Sequence, residues 1–92
     1  MSIDLPKERD IQDEIRKFVL ENFLPGEAPD KLALDHPLIS AGLVDSAGLV
    51  VLLTFLEDLY GVTFAVEEIA RESAESVAEI AAAVHRKIKE KH

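Results

Sequence analysis

Apolar side chains recur every three or four positions between Pro6 and Phe23, and charged side chains fill the positions between them. This spacing places the apolar residues on one side of a helix and the charges on the other. The same repeat returns between Asp45 and Tyr60, and again from Ser76 almost to the end of the chain. The pattern therefore predicts three long helices, each with at least one apolar side.

Residue types found at helix ends support these boundaries. Pro25-Gly26 is placed to stop the first helix. Asp45 or Ser46 can cap the start of the second helix, and Gly61 can end it in a left-handed conformation. The run Ser76-Val77-Ala78-Glu79 matches the capping box that begins many helices.

A long connection from Leu24 to Val44 contains three of the four prolines. Connections of this length in a small domain are usually functional or are held in place by their own apolar side chains. We expect one short turn of helix at Pro37–Ala41, ended by Gly42. The apolar side chains available to hold the connection are Leu32, Leu34, Leu38, Ile39 and Leu43.

Residues Val66–Arg71 are expected to form a short third helix. We expect Val62-Thr63-Phe64 to be a connector, because no other segment is suited to pair with it as a strand. The sequence thus predicts an all-α fold. It is a small four-helix bundle with a short third helix and a long structured loop between helices one and two, and residues 1–92 form a single domain.

The second helix is unusual because its outward side is apolar as well as its inward side. The inward stripe is predicted to comprise Leu49, Leu52, Leu53, Leu56, Leu59 and Tyr60. On the outward side Ala47, Val50, Val51 and Thr54 precede the acidic Glu57 and Asp58. A helix that is apolar nearly all round is either fully buried or offers a contact surface, and complete burial is hard to arrange in so small a domain. We therefore expect a contact surface.

Composition narrows the classes of function. The net charge of −8 is concentrated in the middle of the chain, where acids greatly outnumber bases, which argues against nucleic-acid binding and for partners with basic surfaces. The chain has no cysteine, which excludes disulfides, thiolate metal sites and a cysteine nucleophile. His36, His85 and His92 are too scattered to suggest a metal site by local spacing. No segment has the length of a membrane span or the pattern of a signal peptide, so we expect a cytoplasmic protein.

Asp45-Ser46 is the main candidate for chemistry. Its simplest interpretation is a helix cap. A phosphate ester on Ser46 would, however, lie at the positive end of the second helix, where an anion is favoured. A hydrolytic triad of Ser46 with His36 and either Asp35 or Asp45 can also be written, but it needs a pocket that so small a domain seldom provides.

The run Leu38-Ile39-Ser40-Ala41-Gly42-Leu43-Val44-Asp45-Ser46, with the apolar helix and the Tyr60-Gly61-Val62 that follow it, resembles the phosphopantetheine-attachment region of acyl carrier proteins. The resemblance extends over nearly the whole chain. It implies that Ser46 carries covalent 4′-phosphopantetheine and that Asp45 helps a phosphopantetheinyl transferase to recognise it. It also implies a non-catalytic carrier that holds its cargo as a thioester.

The residues after the serine depart from the pattern of carriers in fatty-acid synthesis. Those carriers usually have a large apolar residue where this chain has Ala47-Gly48, and acids where it has Val50, Val51 and Thr54. In this respect the chain is more similar to discrete D-alanyl, aminoacyl, peptidyl or specialised acyl carriers. We therefore expect these positions to govern the choice of partner.

Two hypotheses follow. In the first, a phosphopantetheinyl transferase modifies a monomeric carrier and a ligase or acyltransferase loads it. The carrier then delivers its cargo to downstream tailoring or condensing enzymes. The expected docking residues are Ala47, Val50, Val51, Thr54, Glu57, Asp58, Glu67 and Glu68. In the second, the outward side of the second helix binds a partner without covalent chemistry, and Ser46 is only a cap.

Overall fold

A computed structural model describes residues 5–24, 26, 32–71 and 74–91. Every regular element in this part of the chain is a helix: α1 is Glu8–Phe23, α2 is Ser46–Tyr60, α3 is Val66–Arg71 and α4 is Val77–Lys91. The prediction of four helices with a short third one is confirmed. The α1 helix begins two residues later than its apolar pattern suggested, and Pro25, expected to stop it, lies outside the described residues.

The core lies between α1, α2 and α4, and α1 packs most extensively against α4. On α1 the fully buried positions Ile11, Ile15 and Val19 are spaced by four residues, as one side of a helix requires. The other fully buried large side chains are Leu32, Leu38, Val44, Leu52, Leu56, Ile69, Val77, Ile80 and Ile88. Among the described residues, no helix is long and apolar enough to cross a membrane.

The α1 and α2 helices run antiparallel. Phe23, at the end of α1, lies against Gly48 in the first turn of α2. Tyr60, at the end of α2, shares a surface cavity with Asp10 in the first turns of α1. The start of α2, which holds Ser46, is therefore at the opposite end of the domain from the start of α1.

The predicted helix ends are confirmed where the structure describes them. Gly61 follows α2 in the left-handed region, at φ 67° and ψ 35°, and its N–H donates to the Glu57 carbonyl at 2.8 Å. Ahead of α4, the Glu79 N–H donates to Ser76 Oγ at 3.1 Å, and Glu79 Oε1 accepts from the Ser76 N–H at 3.2 Å. This is the reciprocal pair of bonds that defines a capping box.

The long connection is held to the first turn of α4 and to the segment that precedes it. The Leu38 N–H donates to the Glu75 carbonyl at 2.7 Å, and the Ala78 N–H donates to the Leu34 carbonyl at 2.9 Å. Of the five side chains expected to hold this connection, Leu32 and Leu38 are buried, Leu34 and Leu43 are half-buried, and Ile39 is exposed. Backbone hydrogen bonds and buried leucines together order this part of the loop.

The predicted helical turn at Pro37–Ala41 is a hydrogen-bonded turn and not a helix. The Gly42 N–H donates to the Ile39 carbonyl at 3.0 Å, and the N–H groups of Leu43 and Val44 both donate to the Leu38 carbonyl. Gly42 has a φ of +81°, so the turn reverses in a conformation that favours glycine.

The prediction that Leu59 faces inward is wrong, because 47% of its surface is exposed. Leu59 follows Leu52 by seven residues and so has nearly the same angular position on α2. Leu52 is covered by the core, but Leu59 lies in the last turn, beside the start of α1. There, Pro6 and Asp13 border an open cavity of about 400 Å³ instead of covering the leucine.

Candidate functional site

The α2 helix begins because Asp45 caps it. Asp45 has an extended backbone, at φ −88° and ψ −176°, and its Oδ1 accepts a hydrogen bond from the Gly48 N–H at 2.7 Å. Its carbonyl accepts from the Leu49 N–H at 2.8 Å, which starts the helical repeat. This is the geometry of an N-cap, and it makes Ser46 the first residue of the helix. Of the two capping candidates, the structure selects Asp45.

Packing fixes the position of this cap from both sides. Val44, immediately before the cap, is buried. Gly48 is also buried, and a Cβ built there would lie 2.9 Å from two atoms of the Phe23 ring and 3.1 Å from Val44 Cγ1. A Cβ at position 48 would therefore require the Phe23 ring or the Val44 side chain to shift. Gly48, one of the positions expected to govern the choice of partner, has a packing role in the structure.

Ser46 is presented to solvent at this fixed point. The residue is exposed, and its hydroxyl forms no hydrogen bond with another described residue. The N–H groups of Ser46 and Ala47 also have no acceptor within the described part of the chain, since Asp45 takes the Gly48 N–H instead. Free N–H groups and the helix dipole make this a favourable environment for an anion on the serine oxygen.

The hydrolytic triad is not assembled. No hydrogen bond joins Ser46 to His36 among the described residues, and the Asp45 carboxylate is occupied by the Gly48 N–H. A general base must lie within hydrogen-bond reach of the group that it deprotonates. Metal chemistry also has no visible ligand set, because the described residues include no group of three or more His, Asp or Glu side chains able to hold an ion.

The outward side of α2 is exposed, as expected. Val50 and Val51 keep 48% and 53% of their surface accessible, and Ala47 precedes them as a third exposed apolar residue. Thr54 is exposed too, but its hydroxyl donates to the Val50 carbonyl at 2.8 Å, so its proton is already used within the helix. One turn further on lies the exposed Asp58. The side of α2 nearest Ser46 thus presents mainly apolar surface.

The four acids expected at the docking surface fall into two pairs. Asp58 and Glu67 are exposed and form no hydrogen bond or ion pair with another described residue. Glu57 is half-buried, and its Oε2 accepts from the Phe64 N–H at 2.6 Å. It therefore holds the connector that leads to α3. Contact of any of the four with a partner stays a prediction.

Glu68 also has an internal role. Its Oε1 accepts from the Ala65 N–H at 3.1 Å, and its Oε2 pairs with Lys87 Nζ on α4 at 2.5 Å. The hydrogen bond from Lys87, and then that from Ala65, lower the pKa of Glu68 below its ordinary value. The ammonium of Lys87 also lies 5.7 Å from the centre of the Phe64 ring. Glu68 therefore joins α3 to α4.

Sequence reasoning missed two contacts that position the site. The first is the contact of Phe23 with Gly48. An isolated glycine within an apolar helix pattern can indicate such a close contact. The second is Glu75 Oε1, which accepts hydrogen bonds from both the N–H and the hydroxyl of Ser40 in the loop leading to Asp45. No sequence pattern relates residues so far apart along the chain.

The sequence model of one protein family, described as "Phosphopantetheine attachment site", matches residues 24–84, well over half of the chain. The matched segment contains the loop before α2, the cap, Ser46, all of α2 and α3, and the first half of α4. A search of curated proteins finds no match to the chain.

Proposed function

The chain belongs to the phosphopantetheine-attachment family and so is a carrier to which 4′-phosphopantetheine is covalently attached. We propose that Ser46 is the attachment residue. The observation that supports this most strongly is the exposed Ser46 hydroxyl directly after the Asp45 cap, inside the matched segment. Carrier domains of this family are generally non-catalytic.

The local chemistry suits a phosphate ester. In the proposed modification the Ser46 oxygen bonds to the phosphorus that carries the pantetheine arm, and the bond from that phosphorus to the bridging oxygen of the coenzyme A diphosphate breaks. The nucleotide part leaves with the bridging oxygen, and the serine proton passes to solvent. The free N–H groups of Ser46 and Ala47 would then face an anion, which the helix dipole also favours. When attached, the group supplies a terminal thiol, which this cysteine-free chain lacks. That thiol would hold an acyl or aminoacyl cargo as a thioester.

The contribution of the protein itself would be to bring the cargo to its partners. A tethered group is present at high effective concentration wherever its carrier docks. We propose that Val50, Val51 and Ala47 make apolar contacts with a phosphopantetheinyl transferase, a loading ligase or acyltransferase, and downstream tailoring or condensing enzymes. Asp58 and Glu67 would attract basic surfaces on these partners. Because Ala47, Gly48, Val50, Val51 and Thr54 depart from the pattern of carriers in fatty-acid synthesis, we propose an amino acid or a specialised acyl group as the cargo.

Mass spectrometry of the intact protein tests the attachment. The chain is incubated with coenzyme A and a transferase of broad specificity, and we expect a single phosphopantetheine adduct. Ser46→Ala should abolish the adduct. Thr63→Ala, which removes an exposed hydroxyl that forms no hydrogen bond with another described residue, is the control and should keep it. An adduct that persists in Ser46→Ala would contradict the assignment of this residue.

The exposure of Val50 and Val51 also supports the alternative of a helical interaction module that works without covalent chemistry. Function in the native host, measured by complementation with variants of the chain, separates the two proposals. The module requires Ser46→Ala to keep all function and Val50→Asp to abolish it. The carrier proposal requires both substitutions to impair cargo transfer.

A further inference from the structure

A second apolar surface lies at the opposite end of α2 from Ser46. We call it the far-end surface. Its cavity of about 400 Å³ lies between the start of α1 and the last turn of α2. The residues that line it are Pro6, Asp10, Asp13, Glu14, Leu59 and Tyr60.

Apolar and aromatic side chains line part of the far-end surface. Leu59 exposes 47% of its surface, almost as much as Val50, and the ring of Tyr60 is half-buried beside it. Leu5, next to Pro6 in the chain, is 36% exposed. Scattered exposed leucines are ordinary, but here an exposed leucine, a proline and a tyrosine border one concave site.

Three carboxylates of α1 also line the far-end surface. Asp10, Asp13 and Glu14 form no ion pair or hydrogen bond with another described residue. Their charge acts across the cavity: burial raises the pKa of Tyr60, and the charges of Glu14 and Asp10 raise it further. The far-end surface therefore combines exposed apolar area with three carboxylates that form no ion pair with another described residue.

This combination selects one kind of occupant. We propose that the far-end surface docks a segment of a partner protein in which lysine or arginine side chains stand beside leucine-like apolar ones. The apolar side chains would cover Leu59 and Tyr60, and the bases would meet the three carboxylates. A second copy of this chain fits less well, because each copy carries a net charge of −8 and Lys87, in its basic last helix, is already paired with Glu68. An anionic membrane would be repelled by the same carboxylates.

The location has a functional consequence that goes beyond attachment at Ser46. Ser46 and Tyr60 are the first and last residues of α2, so at 1.5 Å per residue they lie about 20 Å apart along the helix axis. A partner held at the far-end surface would leave Ser46 and the apolar side of α2 free. A transferase or loading enzyme could then act on a carrier that is already tethered, which raises its effective concentration.

A synthetic amphipathic peptide with leucine and lysine at helical spacing is the probe for this surface. It is titrated into the isotopically labelled full chain, and amide chemical shifts report its position. We expect shifts centred on the start of α1 and the last turn of α2. Leu59→Ser should weaken binding about tenfold, whereas Val50→Ser, which alters an equally exposed side chain on the same helix, should not.

The contribution of charge is tested with two triple variants of equal net charge. Asp10→Asn, Asp13→Asn and Glu14→Gln together should weaken peptide binding about tenfold or more. Asp58→Asn, Glu67→Gln and Glu90→Gln together should weaken it much less. Equal weakening by the two variants would overturn the proposal in favour of diffuse electrostatic attraction. Loss of binding in Val50→Ser but not in Leu59→Ser would overturn it in favour of docking on the outward side of α2.

Two further measurements separate this proposal from its alternatives. Ser46→Ala should bind the peptide as the natural sequence does, so failure of the attachment proposal would leave this result unchanged. Sedimentation should show a monomer, and anionic vesicles should not sediment the protein. A dimer that Leu59→Ser disrupts would overturn the proposal and identify a second copy of the chain as the occupant. Vesicle binding that Leu59→Ser abolishes would overturn it and identify a membrane as the occupant.

Discussion

The ring of Phe23 lies directly against the Cα of Gly48, with so little space between them that a Cβ on Gly48 would come within 2.9 Å of two ring atoms. This contact joins the end of α1 to the first turn of α2, two residues after Ser46. The Gly48 N–H is also the donor that Asp45 uses to cap the helix. One glycine therefore serves both the packing and the capping of the site.

Gly48→Ala should destabilise the domain although alanine is the better helix former. The intrinsic preference for alanine favours the substitution by about 1 kcal/mol, but overpacking a buried site costs about 1–3 kcal/mol. We expect a net loss of about 1 kcal/mol in the free energy of unfolding, measured by urea denaturation.

A double-mutant cycle with Phe23→Ala identifies the cause of that loss. Without the ring, the Cβ at position 48 has room, so Gly48→Ala should become neutral or stabilising in the Phe23→Ala background. The same destabilisation in both backgrounds would mean that Phe23 does not impose the requirement for glycine.

The bond between Ser40 and Glu75 should make the ordering of the loop depend on pH. The hydroxyl and then the N–H of Ser40 lower the pKa of Glu75 by bonding to its charged form. A carboxyl group with a lowered pKa in the folded state stabilises that state above its unfolded pKa, about 4.3 for glutamate, and loses this effect as pH falls through the folded value. Ser40→Ala should therefore raise the pKa of Glu75 and reduce stability at neutral pH more than in strong acid.

Carboxyl titration by NMR and urea denaturation at two pH values measure these effects. The pKa of Glu68, which has different partners, is the internal control and should not change in Ser40→Ala. A pKa of Glu75 that is the same in both proteins would show that the hydrogen bonds from Ser40 do not stabilise its charge.

The ion pair between Glu68 and Lys87 should hold α3 in place. This helix has six residues and one buried side chain, Ile69, so it has little packing of its own. We expect Lys87→Gln to raise the pKa of Glu68 and to speed hydrogen exchange of the α3 amides. Lys89→Gln changes an exposed lysine on α4, the helix that also carries Lys87, and it should have neither effect. Unchanged exchange in Lys87→Gln would indicate that apolar packing suffices.

The apolar side of α2 should govern how well partner enzymes use the carrier. Val50→Ser and Val51→Ser should each reduce kcat/KM for modification by a phosphopantetheinyl transferase, by about tenfold if the contact contributes about 1.4 kcal/mol. Because both residues are half-exposed, stability should change by less than about 0.5 kcal/mol. Leu59→Ser, on the same helix but far from Ser46, is the control. Equal rates for all three variants would place docking elsewhere.

Much of the fold was predictable because local signals and tertiary packing agree. The apolar repeat indicated each helix. Gly61 and the capping box at Ser76 each form the hydrogen bonds that their residue types predict. The exposure of Val50 and Val51 was also predictable, since a domain this small cannot cover both sides of α2.

Other features depend on contacts between distant parts of the chain. The periodicity of α2 assigned Leu59 to the core, but periodicity does not show where the neighbouring helix ends. For the same reason, the internal hydrogen bonds of Glu57 and Glu68 and the contact of Gly48 with Phe23 could not be read from spacing. Acids that appear equivalent in the sequence differ once their partners are known.

The central claim is that Ser46 carries the phosphopantetheine. The most direct measurement is fragmentation mass spectrometry of the modified natural sequence, which locates the added group on one residue. The account predicts that the fragments place it on Ser46, with Ser40 and Thr54 unmodified. A phosphopantetheine group found on any other residue, or no modification by an active transferase that modifies a known carrier in the same reaction, would contradict it.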